Sequence, residues 1–141
     1  MYFNRPGNCD SAEYDTPQTT PGLPLCDNVD AVCQTHDNCY DQSPQNTCCC
    51  DKALVASMNQ LYSDGSYGTW TCPLPPCHSP SVFTYEASVL FGHKACTCNG
   101  VDQRDGDPCS SCSSSFIDYW INEMLLASDR YIKVNGINPY A

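Results

Sequence analysis

One histidine and two aspartates in the first half of the chain have side chains that can move a proton or bind a cation. His36 and Asp37 are adjacent, and Asp51 follows after a short connection. A histidine held by a buried carboxylate is the arrangement of general-base catalysis, because the carboxylate fixes the imidazole tautomer and stabilises the imidazolium that forms. Adjacent helical residues point about 100° apart, so His36 can face a partner helix while Asp37 faces a neighbouring loop.

Two structural interpretations compete with this chemical one. A single buried histidine is more often a satisfied core residue than a catalyst, and an aspartate in a first helical turn is usually a cap or a partner of the helix dipole. The chemical interpretation is favoured because three polar groups converge on otherwise apolar helices. Burial of such groups without partners would cost several kcal/mol.

Two helices are predicted to carry these groups. In residues 27–42, apolar residues and cysteines recur at three- and four-residue spacing on the face that includes His36, and Pro44 ends the pattern. Residues 47–63 have a second apolar face, which includes Asp51. The connection between them is only about five residues, which predicts an antiparallel helix hairpin.

The register of this hairpin can be tested with residue numbers, because facing positions of an antiparallel pair have a nearly constant sum. The sum is 89 for Cys39 with Cys50 and 87 for His36 with Asp51. A disulfide between Cys39 and Cys50 would therefore bring His36 close to Asp51.

The remainder of the chain is less regular. Residues 1–26 contain clusters of proline and glycine that are typical of turns. Residues 66–112 are rich in Pro, Ser, Gly and Cys, with a short predicted strand at Val82–Tyr85. Residues 115–127 have the apolar periodicity of a third helix. The length of the chain suits one domain over residues 1–141.

The cysteine content indicates a disulfide scaffold in an oxidising compartment, since 13 of the 141 residues are cysteines. Their number is odd, which leaves one cysteine as a free thiol or as the link to a disulfide-bonded partner. Zinc is the alternative, because Cys96-x-Cys98 and Cys109-x-x-Cys112 lie near His93. The spacing is loose for a tetrahedral site, so disulfides are favoured, with a pairing that the sequence alone does not determine.

The formal net charge of −10 argues against a nucleic-acid-binding role, because phosphates would repel the chain. The same repulsion acts at anionic lipid surfaces, whereas clustered carboxylates suit a hard cation such as Ca²⁺. No apolar run reaches the ~18 residues of a membrane-spanning helix, so none is predicted.

Two motifs resemble the secreted phospholipase A2 family. The first, Asp30-x-x-Cys33-x-x-His36-Asp37-x-Cys39-Tyr40, is similar to the active-site helix of that family. The second, Cys48-x-Cys50-Asp51-Lys52-Ala53, is similar to the start of its second long helix. The resemblance covers roughly residues 20–60 and is strongest to the plant-type branch, whereas residues 66–141 resemble nothing recognisable.

The resemblance implies a role for each of these residues. His36 would be the general base, and Asp51 would orient its imidazole. Tyr40 would donate a hydrogen bond to Asp51, and Asp37 would bind calcium. The calcium loop of the family has its best counterpart in Gly7-Asn8-Cys9-Asp10, where several of the loop's glycines are missing. The alternative counterpart is the turn Thr20-Pro21-Gly22.

The first of these loop assignments implies further ligands and a disulfide. Cys9 would pair with Cys33. The backbone carbonyls of Asn8, Asp10 and Ala12 would join the carboxylate of Asp37 around the ion.

One departure from the family concerns a second disulfide between the two helices. The family usually has a cysteine at the position of Val32, bridged to the position that is Ser57 here. These numbers also sum to 89, which is the sum for Cys39 with Cys50. Both ends of one bridge are therefore replaced together, as expected for a helix pair that has lost one disulfide.

The resemblance implies one phospholipase A2-like domain with three parts. Residues 1–26 would form the calcium-loop region, residues 27–65 the catalytic helix hairpin, and residues 66–141 an irregular Cys-rich segment followed by a C-terminal helix. The expected fold is mainly α and disulfide-rich, built on an antiparallel two-helix core.

The implied function is calcium-dependent hydrolysis of the sn-2 ester of glycerophospholipids by a secreted enzyme, at an interface of zwitterionic rather than anionic lipid. One alternative is a catalytically weak or inactive member of the fold that serves as a structural or partner-binding module of an extracellular assembly. A second is a toxin-like or inhibitory subunit that is linked to its partner through the odd cysteine.

Overall fold

The computed structural model describes residues 28–64, 88–92, 95–103, 109 and 112–136. Helix α1 spans Asn28–Gln42, α2 spans Thr47–Asp64 and α3 spans Ser114–Asn135. Strand β1 (Thr97–Cys98) pairs antiparallel with β2 (Val101–Asp102). Residues 88–92 are helical. The predicted strand at Val82–Tyr85 lies outside the described residues.

Helices α1 and α2 form the antiparallel hairpin that the sequence predicts. α1 ends at Gln42, before Pro44, and the amide of Ser43 donates to the carbonyl of Cys39 at 2.8 Å. The amides of Cys49 and Cys50 donate to the carbonyl of Asn46 at 3.1 and 3.3 Å, so the hydrogen bonds of α2 begin at the residue before Thr47. A disulfide between Cys39 and Cys50, with Cα atoms 5.8 Å apart, closes the hairpin near its turn.

The apolar core lies between this hairpin and α3. Leu54, Met58 and Met124 are fully buried in it, and Trp120 is almost so. Burial of a large apolar side chain contributes about 1.5 to 3 kcal/mol, so packing against α3 is a main source of stability for the hairpin. The mainly α, disulfide-rich architecture with a C-terminal helix is confirmed.

Helix α3 extends eight residues beyond the predicted C-terminal end at residue 127, to Asn135. The apolar face recognised in the sequence ends near Leu125, but the continuation also packs. Asn28 Nδ2 donates to Ser128 Oγ at 2.8 Å, with both residues buried, and Tyr131 is buried as well. A buried polar pair, rather than further apolar residues, holds this continuation of α3. The apolar pattern in the sequence therefore ends before the helix does.

The β-hairpin over residues 97–102 was not predicted. Asn99 and Gly100 form its turn with positive φ angles of 53° and 80°, as favoured in a two-residue hairpin. Three hydrogen bonds join this β-hairpin to the start of α2 and to the turn before α2. The amide of Thr97 donates to Thr47 Oγ1. The amide of Asn99 donates to Asn46 Oδ1, and that of Gly100 donates to the carbonyl of Gln45. Thr47 is therefore the first residue of α2, and its hydroxyl holds the β-hairpin.

Disulfides tie the Cys-rich segment to the start of α2. Within the described residues, the bridges beside Cys39–Cys50 join Cys48 to Cys96, Cys49 to Cys112 and Cys98 to Cys109. The sulfur atoms of Cys49, Cys109 and Cys112 lie within 4.8 Å of one another, but each is in a disulfide. No thiolate of this cluster is thus left for zinc, and the disulfide interpretation is confirmed for it.

None of the described helices is long and apolar enough to span a bilayer.

Candidate active site

The imidazole of His36 and the carboxylate of Asp51 meet across the helix hairpin. His36 Nε2 lies 2.7 Å from Asp51 Oδ1, and both residues are buried. The Cys39–Cys50 disulfide is one residue from Asp51 and less than one helical turn from His36. The bridge therefore fixes the helix register that this contact requires.

Tyr40 provides a second hydrogen bond to the same carboxylate oxygen. It lies one helical turn after His36 on α1, and its hydroxyl donates to Asp51 Oδ1. Burial, and then the negative charge and hydrogen bond of Asp51, raise the pKa of Tyr40 far above its usual value. Tyr40 thus remains a neutral donor whenever the protein is folded. Among the described residues, no donor reaches Asp51 Oδ2, although this atom is buried.

Two aromatic rings contact the imidazole of His36. The Tyr40 ring centroid is 4.4 Å away with a tilt of 56° between the planes. The Phe91 ring centroid is 4.9 Å away and nearly perpendicular, at 75°. Sequence reasoning missed Phe91, because it lies in the irregular segment and only its apolar neighbours Val89 and Leu90 distinguish that stretch.

Asp37 follows His36 on α1, and adjacent helical residues point about 100° apart. It is half-buried, and a carboxylate is a ligand type that suits Ca²⁺. Asp37 therefore fits as one calcium ligand. The other predicted ligands, Asn8, Asp10 and Ala12, lie outside the described residues, as does Cys9, the expected partner of Cys33. Cys33 itself is buried on α1, and its bridge to Cys9 stays a prediction.

The positions of the replaced disulfide both lie in the core. Val32 and Ser57 are fully buried. The hydroxyl of Ser57 donates to Ala53 O at 2.9 Å and contacts the sulfur of Met124 on α3 at 3.4 Å. Packing of α3 against this point thus contributes to holding the two helices together where the family has a covalent link.

The described residues form a disulfide-rich, mainly helical fold with a buried His36–Asp51 pair, which is consistent with a phospholipase A2-like architecture. Phospholipase A2-gamma of Arabidopsis thaliana is 44% identical to the chain over 41 residues, which are 29% of this chain and 22% of that protein. This match supports the resemblance to secreted phospholipases A2 over part of the chain. No family model matches the chain, and neither does any solved structure.

Proposed function

We propose that the chain hydrolyses the sn-2 ester of glycerophospholipids in a calcium-dependent reaction, with His36 as the general base. The observation that carries this proposal is the 2.7 Å contact between His36 Nε2 and Asp51 Oδ1 in a buried site. A buried carboxylate favours the tautomer in which Nε2 is the donor, so the basic lone pair is on Nδ1. The partial similarity to a phospholipase A2 supports the same reaction class.

In the proposed reaction, His36 Nδ1 takes a proton from a water molecule while the water oxygen bonds to the ester carbonyl carbon. The charge of Asp51 stabilises the imidazolium, and Tyr40 stabilises that charge through its hydrogen bond. When the tetrahedral intermediate collapses, the carbon–oxygen bond to the glycerol breaks and Nδ1 returns its proton to the leaving oxygen. The products are a fatty acid and a lysophospholipid, and no acyl-enzyme forms.

Calcium is the cofactor that we propose beside Asp37. When bound, the ion would polarise the ester carbonyl and bind the substrate phosphate. Asp37 is the described residue that would hold it, together with the carbonyls of Asn8, Asp10 and Ala12 expected from the sequence.

The net charge of −10 supports a preference for zwitterionic over anionic lipid, because like charges repel the enzyme from an anionic surface. The disulfides support secretion into an oxidising, extracellular environment. We therefore expect faster hydrolysis of phosphatidylcholine vesicles than of phosphatidylglycerol vesicles at the same calcium concentration. Faster turnover on the anionic vesicles would contradict this preference.

A non-catalytic module is the second candidate function. The observation that favours it is the complete burial of His36, since a general base must reach water. A structural member of the fold could keep His36, Asp51 and Tyr40 as a buried hydrogen-bonded network.

Release of fatty acid from phosphatidylcholine, with calcium and with EDTA, separates the two candidates. The hydrolase proposal predicts release that depends on calcium and is lost in His36→Gln, while circular dichroism shows that this variant still folds. Activity that is unchanged in His36→Gln, or that persists in EDTA, would reject the proposed mechanism. Absence of activity in the folded wild-type protein at millimolar calcium would favour the non-catalytic module.

A further inference from the structure

Three side chains contact the imidazole of His36, one through a hydrogen bond and two through aromatic rings. Asp51 accepts from Nε2 and so fixes one point of the ring. A hydrogen bond at one atom leaves the plane of the ring free to swing about that atom. Tyr40 and Phe91, with ring centroids 4.4 Å and 4.9 Å away, restrict this swing through their contacts with the ring.

Phe91 differs from the other two because it comes from outside the helix hairpin. It belongs to the helical segment 88–92, where its side chain is only 3% exposed, whereas the neighbouring Val89 and Leu90 are 48% and 37% exposed. The segment therefore turns one aromatic ring inward onto the imidazole and leaves its other large apolar side chains at the surface. An edge-to-face pair at this distance is favourable beyond the burial of its area.

We propose that Phe91 is a positioning residue, which holds the plane of the His36 imidazole in one orientation while Nδ1 gains and loses a proton. The proposal rests on the function proposed above. Orientation matters because a small misplacement of a reacting group lowers the rate by a large factor. Since the ring acts through His36, its loss lowers kcat and leaves KM unchanged.

The test compares Phe91→Leu with the wild-type protein on a dispersed short-chain phosphatidylcholine, so that KM is measured apart from binding to a lipid surface. Leucine keeps the position apolar and removes the aromatic ring. We expect kcat to fall about tenfold, with KM nearly unchanged and a lower melting temperature, because a smaller side chain replaces a buried aromatic ring. Phe116→Leu is the control, because Phe116 is an aromatic residue of α3 that packs at the edge of the core, and its kcat should stay at the wild-type value.

A second measurement reports on the imidazole without any substrate. Carbon-13 relaxation of the His36 ring by NMR should show a rigid ring in the wild-type protein and in Phe116→Leu, and a more mobile ring in Phe91→Leu. Phe91→Met, in which a flexible side chain fills the same space, replaces Phe91→Leu if the leucine variant does not fold.

A higher KM with unchanged kcat would overturn the proposal, because Phe91 would then contact the substrate. Ring relaxation identical to that of the wild-type protein would overturn it as well, whatever the effect on kcat. A wild-type protein without hydrolytic activity would refute the proposed function, and the relaxation measurement alone would then decide whether Phe91 holds the imidazole.

Discussion

Nε2 of His36 lies 2.7 Å from Oδ1 of Asp51, and the two residues belong to different helices. This contact depends on the register of the hairpin, which the neighbouring Cys39–Cys50 disulfide fixes. Both partners are buried, so loss of either leaves a buried polar group and has consequences that can be measured.

Asp51→Asn removes the charge of the carboxylate and keeps its shape. Oδ1 can still accept from His36 and Tyr40, while the amide nitrogen takes the place of Oδ2, which accepts no hydrogen bond from the described residues. We expect the variant to fold and its kcat to fall about 10²-fold or more, because the imidazolium loses its stabilising charge. Fatty acid release measures this, and Asp64→Asn at the exposed end of α2 is the matched control. Activity within twofold of wild type in Asp51→Asn would contradict the role of Asp51.

Asp37→Asn removes the carboxylate that we propose as a calcium ligand. The charge of the ligands sets calcium affinity, so we expect the calcium concentration for half-maximal activity to rise about tenfold or more. Calcium titrations of activity and isothermal titration calorimetry measure this shift. Asp41→Asn removes the same charge from an exposed position one turn further along α1 and should leave the affinity nearly unchanged. Equal shifts in the two variants would argue against a specific ligand role for Asp37.

Tyr40→Phe removes the hydroxyl that donates to Asp51 and keeps the ring that contacts His36. Because the lost hydrogen bond joins a buried carboxylate, we expect the free energy of unfolding to fall by about 1 to 3 kcal/mol. Urea unfolding with the disulfides intact measures this loss. Tyr119→Phe, at a residue that is 53% exposed on α3, should change stability by about 0.5 kcal/mol or less.

The raised pKa of Tyr40 predicts how the effect of this substitution depends on pH. Tyr40 keeps its proton in the folded protein, whereas in the unfolded chain its pKa is the ordinary tyrosine value of 10.0. Its contribution to stability is therefore fully present below about pH 10 and is lost as pH rises above that value. The difference in unfolding free energy between wild type and Tyr40→Phe should be constant from pH 7 to 9 and should shrink above pH 10. A difference that grows above pH 10 would show that Tyr40 ionises more readily in the folded protein than in the unfolded chain.

Met124→Ala tests whether α3 stabilises the helix hairpin of α1 and α2. Met124 is fully buried and contacts Ser57 of α2, so truncation should lower the free energy of unfolding by about 2 to 5 kcal/mol. Leu126→Ala, at a residue that is 39% exposed on the same helix, should cost about 0.5 kcal/mol or less. Thermal unfolding of both variants gives the comparison, and equal small losses would mean that α3 does not stabilise the core in solution.

The sequence by itself determined the helix hairpin and the contact within it. Three- and four-residue spacing defines α1 and α2, Pro44 ends the first helix, and the short connection leaves an antiparallel pair as the expected arrangement. Once that pair is accepted, the positions of Cys39 and Cys50 give the register, and His36 must face Asp51. All of these interactions are local in sequence, which is why spacing was sufficient.

Only the tertiary structure decided what packs against the hairpin. Cys48 pairs with Cys96 and Cys49 with Cys112, and Phe91 reaches His36 from a segment without periodicity. Nor does any local pattern show that Asn28 and Ser128 meet at the end of α3. Such contacts join residues far apart in the chain, and their geometry depends on how the whole core fills space rather than on the spacing of neighbouring residues.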